Sequence, residues 1–97
     1  MRQVGIEALH FYTSRYFLDL ELLASKRGVE TNKFFQGLGQ EKMAVLPPDE
    51  DIVTLAATSA TGALKEIDPN SIAMVLAATE SGVDHSKAYG IWVHHLL

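Results

Sequence analysis

Hydrophobic and polar positions alternate at the start of the chain. Val4, Ile6 and Ala8 interleave with Gly5, Glu7 and Leu9, and the pattern predicts a first strand over 4–12, partly two-sided. Thr13 and Ser14 make a turn. The spacing then becomes helical. Leu20, Leu22, Leu23 and Ala24 form one apolar stripe, Lys26 and Arg27 stand in the last turn, and Gly28 follows as a C-cap, so a helix is predicted from Tyr16 or Leu18 to Arg27. Thr31 or Asn32 caps a short helical turn anchored by Phe34 and Phe35. Gly37 and Gly39 interrupt regularity, and Lys42–Leu46 reads as a short extended segment ending at Pro47-Pro48.

The clearest helix runs from Asp49 to Leu64. Two prolines precede it, and Asp49, Glu50 and Asp51 fill its first turn, where anions suit the helix dipole. Its predicted inner face is Ile52, Val53, Ala56, Ala60, Ala63, Leu64 and, beyond the helix, Ile67. The small residues Ala56, Ala57, Ala60, Gly62 and Ala63 allow a sheet or helix to approach closely. Asp68-Pro69-Asn70-Ser71 is a turn.

Ile72 to Ala78 is an unbroken apolar run, bounded by Thr79-Glu80-Ser81-Gly82. Such a run predicts a strand covered on both faces, as in a parallel sheet. Asp84 then serves as N-cap of a last helix over 85–95, with Ala88, Ile91, Trp92 and His95 or Leu96 on one face. The pattern stops at Leu96-Leu97 without a C-cap, as expected of a chain interrupted rather than ended. Strands alternating with helices predict an α/β fold. In open α/β sheets chemistry gathers at the carboxyl ends of strands, so Glu80 is a candidate acid or base. From the pattern alone, a solvated turn residue is the commoner reading of such a glutamate.

Composition narrows the picture. The 97 residues suffice for one small domain, and 47% are hydrophobic, enough for a core. Net charge is −4 with a pI near 5.4, which does not support a nucleic-acid surface. There is no cysteine, so disulfides, thiolate metal sites and a cysteine nucleophile are excluded within these residues. Glu7 and His10 interrupt the apolar residues of the first ten positions, so these are not expected to act as a signal peptide, no apolar run reaches the length of a membrane span, and a soluble cytoplasmic protein is the default expectation. His94 and His95 are adjacent and face different sides of a helix, and His85 is too distant to share a metal with either. Gly37-Leu38-Gly39-Gln40 lacks the third glycine of a dinucleotide fingerprint. Asp49-Glu50-Asp51 reads as a helix start, and Phe34, Phe35 and Trp92 as core.

Several segments together carry a family signature. They are Val4-Gly5-Ile6, Tyr16 to Leu20, Gly28-Val29 through Lys33-Phe34, Gly37 to Gln40 with Met43-Ala44-Val45, Glu50 to Thr54, and Ala78-Thr79-Glu80-Ser81 with Val83-Asp84 and Ser86-Lys87. In this combination the chain resembles the N-terminal end of bacterial 3-hydroxy-3-methylglutaryl-CoA synthases, thiolase-superfamily enzymes of the mevalonate pathway. The resemblance spans nearly all 97 residues and implies that 1–97 is an N-terminal piece of a thiolase-like condensing domain. It implies a mechanism as well. A cysteine takes an acetyl group from acetyl-CoA, a glutamate removes a methyl proton, and the resulting carbon nucleophile attacks the ketone of acetoacetyl-CoA. A histidine orients and protonates the second substrate, and water releases the product.

The family's glutamate matches Glu80, which needs an apolar surround, to which Val75, Leu76 and Ala77 are expected to contribute. A substrate-contacting Asp in a Val-Asp-Pro context corresponds to Val29-Glu30-Thr31, so Glu30 and Thr31 are the expected substrate-binding positions, with a longer acid in place. Ser14 stands where the family has a proline. The resemblance implies CoA thioesters as substrates without a cofactor, a homodimer, and neither nucleic-acid nor membrane partners. The family's cysteine and histidine lie beyond the last helix, so these residues alone are expected to be inactive. Two alternatives stay open: a related synthase that installs β-branches on carrier-protein-bound polyketides, and a non-catalytic α/β module that associates through Ile91, Trp92 and Leu96. Uncovered sheet edges predict marginal stability unless the chain oligomerises.

Overall fold

The computed structural model describes all 97 residues, which gather into two compact units. One unit is Thr13–Asp49; the other combines Met1–Tyr12 with Glu50–Leu97.

In the 13–49 unit, strand β1 (Tyr16–Asp19) leads directly into helix α1 (Leu20–Arg27). The expected helix therefore begins later than Tyr16 or Leu18, for a local reason. Asp19 sits in extended backbone and its Oδ1 accepts the N–H of Leu22 at 3.0 Å, which starts the helix at Leu20. The residues before it, Tyr16 and Phe17, are aromatic and suit a strand. At the other end Gly28 adopts φ 64°, the left-handed conformation glycine tolerates. Its N–H bonds Ser25 and the N–H of Val29 bonds Ala24, a Schellman closure. A single helical turn, α2 (Asn32–Phe35), follows, and strand β2 (Lys42–Val45) returns antiparallel to β1. The register pairs Tyr16 with Val45, Phe17 with Ala44, Leu18 with Met43 and Asp19 with Lys42. Lys42 Nζ lies 4.6 Å from the Phe17 ring centroid, a diagonal cation–π contact across the two strands. The sheet is thus antiparallel and two-stranded, not parallel. Leu20 and Ala24 are buried in this unit, at 2% and 0% exposure, and so is Pro47.

In the other unit, helix α3 (Ile52–Leu64) starts at a capping box. Asp51 Oδ1 accepts the N–H of Thr54 at 2.8 Å, and Thr54 Oγ1 accepts the N–H of Asp51 at 2.9 Å. The first turn therefore begins at Ile52 rather than Asp49. Asp49 instead pairs with Arg15 at 3.2 Å inside its own unit, an exposed pair contributing at most about 1 kcal/mol. A 3₁₀ turn (Pro69–Ser71) is capped by Asp68, and helix α4 (Tyr89–Leu96) ends the chain. The core lies where α3 meets α4: Val53 and Ala57 from α3, Val93 from α4. On α4 the covered side is therefore Tyr89, Gly90 and Val93, whereas Ile91, Trp92 and Leu96 are outward. Trp92, expected in the core, therefore lies at the surface. The helix starts four residues later than a cap at Asp84 requires.

Two predicted strands are absent. Residues 4–12 and 72–79 enter no sheet. A strand is completed by a neighbour's hydrogen bonds, and within these residues only β1 and β2 find one another. Residues 4–12 lie instead along α3. The Ser59 hydroxyl donates to the His10 carbonyl at 3.1 Å, and the His10 imidazole occupies the space a Cβ at Gly62 would need. Here the small residues of α3 do serve close approach, but to a side chain of the N-terminal segment. The run 72–79 passes α4 at its start, where a Cβ at Gly90 would lie 3.5 Å from Ala77 Cβ.

Candidate active site

Glu80 stands at the end of the apolar run, in the turn that joins it to α4. The expected apolar surround does not form within these residues. Glu80 is exposed, and so are Val75, Leu76 and Ala77, with Leu76 at 86%. The reason is the unpaired strand: without neighbours on either side, the run exposes the faces that would have enclosed the carboxylate.

Side-chain caps define the turn. Thr79 Oγ1 accepts the N–H of Ser81 at 3.1 Å, and the two hydroxyl oxygens lie 3.4 Å apart. A second closure follows at Asp84, whose Oδ1 accepts the N–H groups of Ser86 at 2.7 Å and Lys87 at 3.0 Å. Asp84 therefore caps a turn at 84–87 and not the helix, which begins at Tyr89. Between the two closures opens a shallow hollow of about 580 Å³ lined by residues 79–82 and 84–89, with Glu80 on its wall. Tyr89 fixes the far side: its hydroxyl donates to the Ile52 carbonyl at 2.6 Å and so ties α4 to the first turn of α3. Partial burial, and secondarily the negative charge of Asp51, push the Tyr89 hydroxyl's pKa up. Lys87 Nζ lies 4.0 Å from the Trp92 ring centroid.

The N–H of Lys87, then that of Ser86, holds the Asp84 carboxyl below its ordinary value of 3.8. A depressed folded-state pKa means the closure stabilises the turn fully above the unfolded value and is lost as pH falls through the folded one. Lowering the pH from neutral should therefore move the Ser86 and Lys87 amide resonances with a midpoint below 3.8. A midpoint at or above 3.8, or no common transition, would contradict the closure.

Glu30 and Thr31 belong to the other unit. Glu30 is exposed and its carbonyl accepts the N–H of Lys33; Thr31 is half-buried at the N-cap of α2. Thr31 makes no side-chain cap bond, contrary to its expected capping role, because its backbone is already helical at φ −56° and ψ −36°. Its carbonyl accepts from Phe34 and Phe35. No group of three or more His, Asp or Glu side chains stands close enough to hold a metal ion. Two contributors were not anticipated. Thr79 belongs to a segment of the family signature, but nothing there marks its hydroxyl as the acceptor that closes the turn. Tyr89 is tied to a residue 37 positions away, for which local pattern has no signal.

The family model described as hydroxymethylglutaryl-coenzyme A synthase N terminal matches residues 1–97. A hydroxymethylglutaryl-CoA synthase of Enterococcus faecalis is 42% identical over 94 residues, covering 97% of this chain and 24% of that protein. A polyketide-biosynthesis 3-hydroxy-3-methylglutaryl-ACP synthase of Bacillus subtilis is 34% identical over 100 residues, again 24% of its length. Among solved structures, MvaS in complex with 3-hydroxy-3-methylglutaryl coenzyme A superposes with a TM-score of 0.83 at 43% identity, covering 99% of this chain and 24% of that one. An HMG-CoA synthase complexed with CoA superposes at 0.73 with 41% identity, covering 94% of this chain and 24% of that one. The chain thus spans about a quarter of the length of the relatives it matches. No helix is long and apolar enough to cross a membrane. With the α/β architecture of those structures and a family match along its whole length, the chain belongs to the hydroxymethylglutaryl-coenzyme A synthase N-terminal family.

Proposed function

We propose that these residues are the N-terminal part of a synthase that condenses acetyl-CoA with acetoacetyl-CoA, with Glu80 as general acid/base. The observation that carries this is the position of Glu80, held at the apex of a capped turn on an open hollow, in a chain that matches the family from end to end.

The chemistry balances as follows. A cysteine thiolate elsewhere in the protein attacks the acetyl-CoA carbonyl, and CoA leaves as its thiol after taking a proton. The Glu80 carboxylate accepts a proton from the methyl of the acetyl-cysteine. The carbon so released bonds to the ketone carbon of acetoacetyl-CoA, whose oxygen takes a proton from an acid, a histidine in the family resemblance. Water then cleaves the thioester to cysteine, giving 3-hydroxy-3-methylglutaryl-CoA and the free thiol. Glu30 and Thr31 are substrate contacts in this scheme. The apolar enclosure that tunes a general base is supplied by parts of the protein beyond these residues, which alone are inactive. We place the protein in the cytoplasm, as a homodimer serving the mevalonate route, on the strength of the family resemblance.

The carrier-protein alternative has a specific support in the Bacillus relative, at 34% identity against 42% for the CoA-type enzyme. Full-length protein is expected to consume free acetoacetyl-CoA in the presence of acetyl-CoA, releasing one thiol per turnover. Consumption only of acetoacetyl groups on a carrier protein would transfer the assignment to the polyketide branch. Consumption of neither would remove it.

A further inference from the structure

We propose that Thr79 is the positioning residue for Glu80, an inference that rests on the acid/base role proposed above. Every residue from 71 to 88 is exposed except Thr79, which is half-buried. It is thus the least exposed point of this stretch, and its hydroxyl is the group that closes the turn at Glu80. The hydroxyl closes over Glu80: Oγ1 accepts the Ser81 N–H at 3.1 Å and lies 3.4 Å from the Ser81 hydroxyl. The methyl points along the turn toward Gly82, where an added Cβ would meet it at 3.8 Å.

These contacts link the residues on either side of Glu80 to each other and leave Glu80 at the apex. An exposed glutamate has three rotatable side-chain bonds, so its average direction is set through the backbone that carries it. A small rotation of that backbone becomes a displacement of about 1 Å at the carboxylate, and misplacement on that scale costs on the order of 100-fold in rate. Ser81 contributes the donor, Thr79 the acceptor.

The test uses full-length protein and two readouts: formation of the acetyl-enzyme from acetyl-CoA, which does not involve Glu80, and the condensation that follows. Thr79→Val keeps the shape and removes the acceptor. It is expected to lower kcat for condensation on the order of 10–100-fold, with acetyl-enzyme formation and the KM for acetyl-CoA unchanged. Thr79→Ser restores the acceptor and is expected to recover most of the rate. Equal loss in both readouts would mean a merely structural role and overturn the proposal, as would undiminished condensation in Thr79→Val or failure of Thr79→Ser to recover. Glu80→Gln run alongside separates the two levels. If Glu80→Gln condenses normally, the acid/base role falls and this inference with it. If Glu80→Gln is inactive while Thr79→Val is unimpaired, only the positioning role falls.

Discussion

Glu80→Gln in the full-length protein is expected to lower condensation by about 10²–10⁴-fold, the range a positioned general acid/base contributes. Glutamine keeps the size and the hydrogen-bonding plane of the side chain but cannot accept a proton from carbon. The loss should fall on one step. Acetyl transfer to the cysteine needs a thiolate and a thioester, so the acetyl-enzyme should still form and should accumulate, visible as an added acetyl mass on the intact protein. Glu80→Asp should retain more activity than Glu80→Gln, since it keeps the carboxylate while drawing it back by one methylene. The turn closed by Thr79 and Ser81 is made by neighbouring groups and not by the Glu80 carboxylate, so both variants should keep it. Condensation within a few-fold of wild type in Glu80→Gln would remove Glu80 from the chemistry.

The second large effect is on stability. Leu20→Ala is expected to cost about 2–5 kcal/mol, the range for deleting a buried leucine. Leu20 is 2% exposed at the junction where β1 becomes α1, and its N–H donates to the Glu41 carbonyl at 3.0 Å. Its backbone thus joins a strand end and a helix start to the segment entering β2, and its side chain is buried at that junction. A cavity there loosens all three. Ser25 lies on the exposed side of the same helix, and Ser25→Ala should stay within about 0.5 kcal/mol. Amide hydrogen exchange over Leu23–Arg27 reads the difference locally, without requiring the whole protein to unfold in two states. Equal protection in the two variants would show that Leu20 is not part of that core.

The exposed apolar side chains bear on the association alternative. Ile91 and Leu96 are about half-exposed, whereas Trp92 is partly roofed by Lys87. The most exposed large apolar side chains belong to the segments 4–12 and 72–79, with Val4, Ile6, Leu9 and Phe11 in one and Met74 and Leu76 in the other.

Local chemistry determined much of this protein from the sequence alone. Lys26, Arg27 and Gly28 announced the end of α1, and the Schellman closure is there. Pro47, Pro48 and the acidic run announced α3, since caps and dipoles act within one turn of the residues that cause them. The short turn at α2, the strand near Lys42 and the turn at Asp68 were legible for the same reason. The combination of short motifs pointed to the family, which matches over the full chain.

What local pattern could not decide was whatever needs a distant partner. Apolar alternation at 4–12 and the run at 72–79 state a readiness to pair, but pairing depends on a second strand, and only β1 and β2 supply one another here. Asp84 had the right residue type for a helix cap, yet tertiary structure spent it on a separate turn and began α4 at Tyr89, whose hydroxyl reaches Ile52. Packing of α4 against α3 decided the buried face, which holds Val93 and leaves Ile91 and Trp92 outside. A side chain's type sets which bonds it can make; only the folded chain brings the partner that decides which bond it does make.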